Sequence, residues 1–290
     1  MAVTALPPSA GTEPEARRRR PRRGGGGRES QLTWASGVGL GVSVMWFSIL
    51  VLIPLAAVIV TGSKEGWAGF WNAITQEQTL AAIRLTVGTA LAVTVVNVFM
   101  GTLIAWVLVR DDFFGKRALE VLIDVPFALP TVVAGLVLLS LYGPQGPLGV
   151  NIANKPSAVF VAYLFVTLPF VVRTVQPVLA ELDREVEEAS RSLGASSFTT
   201  FRRVVLPSLI PAIAAGATLS FARGVSEYGS LVLLSGNLPF KTEVTSVRIL
   251  GSVENDNLAG AASVATVLLA ISLAVIVLLD VLQRRVAVRG

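Results

Sequence analysis

Arg223 and Glu227 are opposite charges four residues apart in the otherwise uncharged stretch LSFARGVSEYGS. On a helix that spacing makes them neighbours. A charge at the centre of a membrane helix costs about 2.5 to 3.5 kcal/mol on insertion scales, so it stands there for a reason. Two reasons fit. One is a buried ion pair tying a span to the segment after it. The other is an electropositive point in an anion path, flanked by the hydroxyls of Ser220 and Ser226. PFALP, Pro126 to Pro130, followed by Thr131, frees backbone groups that are tolerated at membrane depth only against protein or a wet cavity. A sparse path of hydroxyls, backbone N–H groups and one Arg suits transit of an anion better than a cluster of Arg that would hold it. Arg84 and Arg173 fall near span ends, where a long side chain is expected to snorkel to the interface.

The second constellation is EEASRSLGASSFTTFRRVVLP, Glu187 to Pro207, polar sequence between two long apolar segments. Leu179, Leu182, Val186, Ala189 and Leu193 recur at steps of three and four, one stripe of an amphipathic helix. Glu181, Asp183, Arg184, Glu185, Glu187, Glu188 and Arg191 fall on the opposite face, with Glu187 and Arg191 at the supportive i, i+4 spacing. Gly194 follows where a left-handed C-cap belongs. Ser196 or Ser197 is placed to cap a second short helix carrying Phe198, Phe201 and Val205, which Pro207 ends as it opens the next membrane segment. The expectation for residues 180–207 is helix, glycine turn and short helix at a membrane surface. Such a knob fits a groove on a soluble partner; a solvated loop is the other reading of the same residues.

Composition restricts the chemistry. Of 290 residues, 53% are apolar and only 15% charged, which points to a membrane protein rather than a soluble domain. There is no Cys, hence no disulfide and no thiolate site, and no His, the commonest general base and metal ligand. No Walker A pattern occurs, so any nucleotide is expected on another subunit. Catalytic, cofactor-binding and metal-ligating residues are all expected to be none, and ATP with Mg is expected only in a partner.

The elements that must position these residues follow from hydropathy. Residues 1–30 are rich in Pro, Gly and Arg and are expected to be a disordered cytoplasmic tail, in contact with anionic membrane lipid. Seven Arg against three Glu there account for +4 of the net +5, which leaves the body near neutral and without the charge of a nucleic-acid-binding domain. Residues 31–290 read as one all-α polytopic domain with six spans, at about 37–60, 80–109, 121–141, 157–179, 207–224 and 258–282. Gly37 and Gly41 form a small-residue face in the first. Trp67 and Trp71 sit beyond it, where interfacial rings belong. The third contains PFALP and is expected to kink. In the fifth, Ala212, Gly216, Ser220 and Gly224 make a close-approach stripe, facing either a sister subunit or another span of this chain. Leu231 to Leu234 is too short to cross and reads as re-entrant or interfacial.

Six spans put both termini on one side. With that side inside, inner segments hold 17 of the 24 Lys and Arg and outer segments four. The bias places the termini and the Glu187 to Pro207 loop in the cytoplasm of a multi-pass plasma-membrane protein.

Glu188, Ala189, Gly194, Val204, Leu206 and Pro207 form Glu-Ala-x4-Gly-x9-aliphatic-x-Leu-Pro, a pattern that resembles the signature loop of ABC importer permeases. Ser190 stands where that pattern usually has Ala, and Val204 where it usually has Ile. DVPFALPTVVAG (from Asp124), LYGPQGPLG (from Leu141), RGVSEYGSLVLLSGNLP (from Arg223) and Lys241-Thr242-Glu243 resemble the T-type permease of sulfate and thiosulfate importers, over about residues 40–285. Ser226-Glu227-Tyr228-Gly229 departs from the usual Gly-Glu-Phe-Gly. The resemblance implies a type I importer permease fold with a coupling loop of Glu187, Glu188, Ala189, Arg191, Gly194, Ala195, Phe198, Phe201 and Pro207 docking into an ATPase. It implies as partners a sister W-type permease, two ATPase subunits and an extracytoplasmic sulfate-binding protein, with this chain not itself an enzyme. Molybdate and tungstate permeases share the architecture and are the alternative. An ion-coupled secondary anion transporter predicts mid-membrane ionisable groups and repeat symmetry, which only Arg223 and Glu227 approach.

Overall fold

The computed structural model describes residues 34–287; the basic stretch 1–30 and Arg289 lie outside the described residues. Every regular element among them is helical. The chain divides into two units, Met1–Leu52 and Ile53–Gly290. In the first, α1 (Trp34–Phe47) runs into a π turn, Ser48–Leu52, and the Gly37–Gly41 face is exposed.

The second unit begins with α2 (Ile53–Gly62) and α3 (Gly66–Thr75), followed by α4 (Glu77–Arg110), α5 (Lys116–Ala128), α6 (Thr131–Tyr142) and α7 (Pro156–Glu181). Next come α8 (Arg184–Ser192), α9 (Ser197–Thr200), a π turn Phe201–Val205, α10 (Leu206–Val225), α11 (Gly229–Leu234), α12 (Thr245–Glu254) and α13 (Leu258–Ala287). Among the described residues five stretches are long and apolar enough to cross a membrane: Ser36–Gly62, Glu77–Arg110, Pro156–Glu181, Ser197–Val225 and Leu258–Arg285. Trp67 and Trp71 stack on α3 with centroids 6.0 Å apart and stay exposed, as interfacial rings do.

The third expected span differs most from its sequence reading. It is not one kinked rod but α5 and α6, bent by 119° at a break; counted as one broken span, the pair brings the total to six. Pro130 has no N–H and forces the residue before it out of the helical region. Leu129 accordingly sits at φ −84°, ψ 135°, and α5 stops at Ala128. Just past the break α6 packs on the short α11, with Thr131 against Gly229 and Gly135 against the backbone of Ser230, while Phe127, Ala128 and Pro130 at the break itself are exposed.

At the centre, α4, α7 and α10 pack together. One buried cluster includes Ala90, Val93, Tyr163, Phe221 and Val225, and a second includes Ala105, Leu108, Val171, Val175, Val205 and Leu209. The small-residue stripe of α10 is used inside the chain. Ala212, Gly216, Ser220 and Gly224 are all buried, and a Cβ at Gly216 would come within 2.9 Å of the Val171 Cα on α7. Of the two partners the sequence allowed for that stripe, the structure selects a neighbouring span.

Candidate functional site

The loop after α7 forms as two capped helical pieces. The Asp183 carboxylate accepts the Glu185 N–H at 2.9 Å and caps α8. Glu185 and Glu187 lie in the first turn and Arg191 in the last, each sign at the end the helix dipole favours. At the other end Gly194 has φ +85°; its N–H donates to the Arg191 carbonyl at 2.9 Å, and the Ala195 N–H to the Ser190 carbonyl at 3.2 Å. That pair of bonds is a Schellman stop, which needs a left-handed residue at this position. Ser196 then caps α9, accepting the Thr199 N–H at 3.2 Å. The Ser190 and Thr200 hydroxyls are 3.0 Å apart and tie the two pieces together, so the departure at Ser190 has a partner.

Two details overturn the sequence reading. The second piece is not a short helix closed by Pro207. It continues through the π turn into α10, and Ser197–Val225 is one span. The wider π turn accommodates the N–H that Pro207 lacks. The apolar stripe also does not run along one helix. Leu179 is fully buried on α7, but the helix breaks at Leu182 and Asp183, where the cap is extended, and the phase is lost. In this chain Val186, Leu193 and Phe198 are exposed, the last two at 89% and 70%, together with Glu188, Ala189 and Arg191. Ala195, Phe201 and Pro207 are half-buried.

Glu187 is the buried residue of α8, at 6% exposure. Its carboxylate pairs with Arg110, the last residue of α4, and more loosely with Arg191 at 3.9 Å. The Arg110 guanidinium lies 5.8 Å from the centre of the Trp106 ring, and Trp106 meets Phe201 edge-on at 5.4 Å. Neither Arg110 nor Trp106 stands out as a site residue from sequence. The legible signal was their i, i+4 spacing at the end of a 34-residue apolar run.

Arg223 and Glu227 form the ion pair their spacing allows, at 2.6 Å. The other carboxylate oxygen of Glu227 accepts the N–H and the hydroxyl of Ser230, each at 2.8 Å. Ser246 on α12 donates to the Glu227 carbonyl at 2.8 Å. Glu227 is 1% exposed, while the Arg223 side chain remains 27% exposed. The carboxylate is therefore the anchor, and the guanidinium is held with part of its surface open. Thr131, across from Gly229, joins α6 to this corner, and Pro130 is exposed at the break before it. Ser226 is exposed and donates to the Arg223 carbonyl at 3.1 Å. Ser220 lies apart, buried between helices and accepting from Asn97 at 3.2 Å. Pro126 is half-buried in the last turn of α5.

The other intramembrane arginines separate. Arg84 is exposed, as snorkelling requires. Arg173 is instead bidentate to Asp124, at 2.7 and 2.6 Å, and also bonds Gln176 and the Glu120 carbonyl. It fastens α7 to α5 rather than merely reaching for the interface. A fully buried polar link comes from Asn97 on α4, whose amide donates to Thr167 at 2.7 Å as well as to Ser220.

Residues 97–288 match the family model described as binding-protein-dependent transport system inner membrane component. The chain belongs to this family. A sulfate transport system permease protein CysT from Synechocystis sp. PCC 6803 is 44% identical over 250 residues, 84% of this chain and 87% of that protein. The protein of the same description from Escherichia coli K12 is 40% identical over 255 residues, 86% of this chain and 92% of that one. Among solved structures, a bacterial ABC transporter involved in import of the polysaccharide alginate superposes with a TM-score of 0.73 at 16% identity, covering 87% of this chain and 96% of that one. The fold is thus that of ABC importer permeases. As an inner-membrane component of a transport system, the chain is a transporter subunit and not a catalytic enzyme.

Proposed function

We propose that this chain is the T-type permease subunit of an ATP-driven sulfate importer. The carrying observation is identity of 40% and above to sulfate permeases across most of both chains. In this reading the chain forms half of the translocation path beside a sister W-type permease. Two ATPase subunits lie on the cytoplasmic side and hold the ATP and Mg, and an extracytoplasmic protein delivers sulfate. The positive-inside bias puts the termini and α8–α9 on the ATPase side.

The exposed Val186, Leu193 and Phe198 of the knob suit a groove on the ATPase, with Glu188 and Arg191 beside them. Closing of the ATPase dimer on ATP moves the knob and opens the path outward. The half-open Arg223 guanidinium supplies one positive point to the passing dianion. Because Glu227 already neutralises it, the anion is attracted without being trapped.

The test is uptake of radiolabelled sulfate in a permease-deletion strain carrying this chain with its partner subunits. ATP-dependent sulfate uptake that excess molybdate does not suppress is expected. Uptake absent, or abolished by molybdate, overturns the assignment.

A further inference from the structure

A carboxylate leaves water only for a strong partner, and the partner of the buried Glu187 does not belong to either helix adjoining the knob. It is Arg110, at the end of α4. One turn earlier on the same face, Trp106 lies beneath the Arg110 guanidinium and meets Phe201 edge-on. α8, through Glu187, and the π turn after α9, through Phe201, therefore rest on a single turn of α4.

From that seat α4 runs 34 residues, roughly 50 Å. Its sequence has no Pro, whereas α7 contains Pro169 and Pro177 and α10 contains Pro211. Proline is the commonest cause of a helix kink, so the two helices covalently joined to the knob are the softer ones. Midway, Asn97 fastens α4 to α7 and α10. Towards its other end Thr86 accepts both the N–H and the hydroxyl of Thr245, at 2.9 and 3.0 Å. Gln78 donates to Glu243 at 2.7 Å, and Arg248 donates to Gln76 at 2.8 Å. The far end of α4, with Gln76 just before it, thus grips the end of the α11–α12 link and the first turn of α12, which follow the Arg223–Glu227 corner.

We propose that α4 is the rod that carries displacement of the knob to the opposite face of the membrane, with Arg110 and Trp106 as the positioning residues that seat the knob on it. The inference rests on the reading above that an ATPase drives the knob. Coupling between sites is reciprocal, so the same rod conveys arrival of the loaded binding protein back to the ATPase.

The experiment uses the complete complex in proteoliposomes and compares basal ATP hydrolysis, its stimulation by sulfate-loaded binding protein, and subunit co-purification. Arg110→Gln is expected to cut the stimulation at least tenfold while basal hydrolysis and co-purification stay within twofold. Arg110→Lys, which keeps the charge, is expected to stay within threefold of wild type. Undiminished stimulation in Arg110→Gln overturns the proposal, as does a loss in Arg110→Lys equal to that in Arg110→Gln. Should Arg110→Gln not assemble, Trp106→Leu decides: a fivefold or greater loss of stimulation supports the rod, and no loss overturns it. A wild-type complex with no stimulated hydrolysis refutes the importer reading itself, a result distinct from either.

Discussion

Replacing Gly194 isolates one term in the coupling knob. Its φ is +85°, and beyond its two chain neighbours no heavy atom lies within 4 Å of the place a Cβ would occupy. A substitution therefore meets no steric neighbour within this chain, and its cost is that of holding an L-residue in the left-handed region, roughly 1 to 2 kcal/mol. At 1.4 kcal/mol per factor of ten, that is a roughly five- to thirtyfold shift away from the formed turn. Val, branched at Cβ, belongs at the upper end. Asn, which tolerates the left-handed region, belongs near the glycine value. Two bonds close the turn, Gly194 to Arg191 and Ala195 to Ser190, so unwinding separates α8 from α9 and leaves the knob without a fixed shape. The assay is ATP hydrolysed per sulfate imported by the reconstituted complex. Gly194→Val is expected to raise that ratio severalfold, and Gly194→Asn to leave it within about twofold. Normal coupling in the Val variant refutes the argument. Equal damage from Val and Asn refutes it differently, by showing that side-chain bulk at a partner contact matters and the backbone does not.

Glu188→Lys reverses an exposed charge on the face of α8 proposed to dock, and should reduce co-purification of the ATPase; an unchanged complex removes Glu188 from that contact. Arg223→Ala leaves Glu227 buried without its counter-charge, a change that costs up to about 3 to 5 kcal/mol, less here because Arg223 is partly exposed. Its yield and its sulfate uptake should both fall. Adding Glu227→Gln should restore the yield but not the uptake; recovered uptake in the double variant would show that Arg223 only balances Glu227. Gly216→Leu pushes a side chain into the α7 backbone at Val171 and into Thr174, and should lower stability by roughly 1 to 3 kcal/mol. A thermal melt in detergent reads that change, and an unaltered midpoint contradicts the close approach.

Residue order alone settled what depends on neighbours in sequence. The apolar runs gave the spans, because a membrane helix satisfies its own backbone and needs only length and apolarity. Gly194 as the left-handed stop, a serine cap at Ser196 or Ser197 and the Arg223–Glu227 pair were legible for the same reason, since each closes within one or two turns; the structure chose Ser196. The pairing of distant residues was decided by the tertiary structure. Glu187 looked like a solvent-facing member of a charged helix, and only the arrival of Arg110 from 77 residues earlier made it the buried one. Arg173 looked free to snorkel until Asp124, 49 residues away, was brought against it. The 119° bend at PFALP likewise sets α6 against α11, about 100 residues further on, a packing that no local pattern shows. Local geometry follows from dihedral preference and spacing, whereas which charge meets which across the bundle follows from how the helices pack, and hydropathy does not encode that.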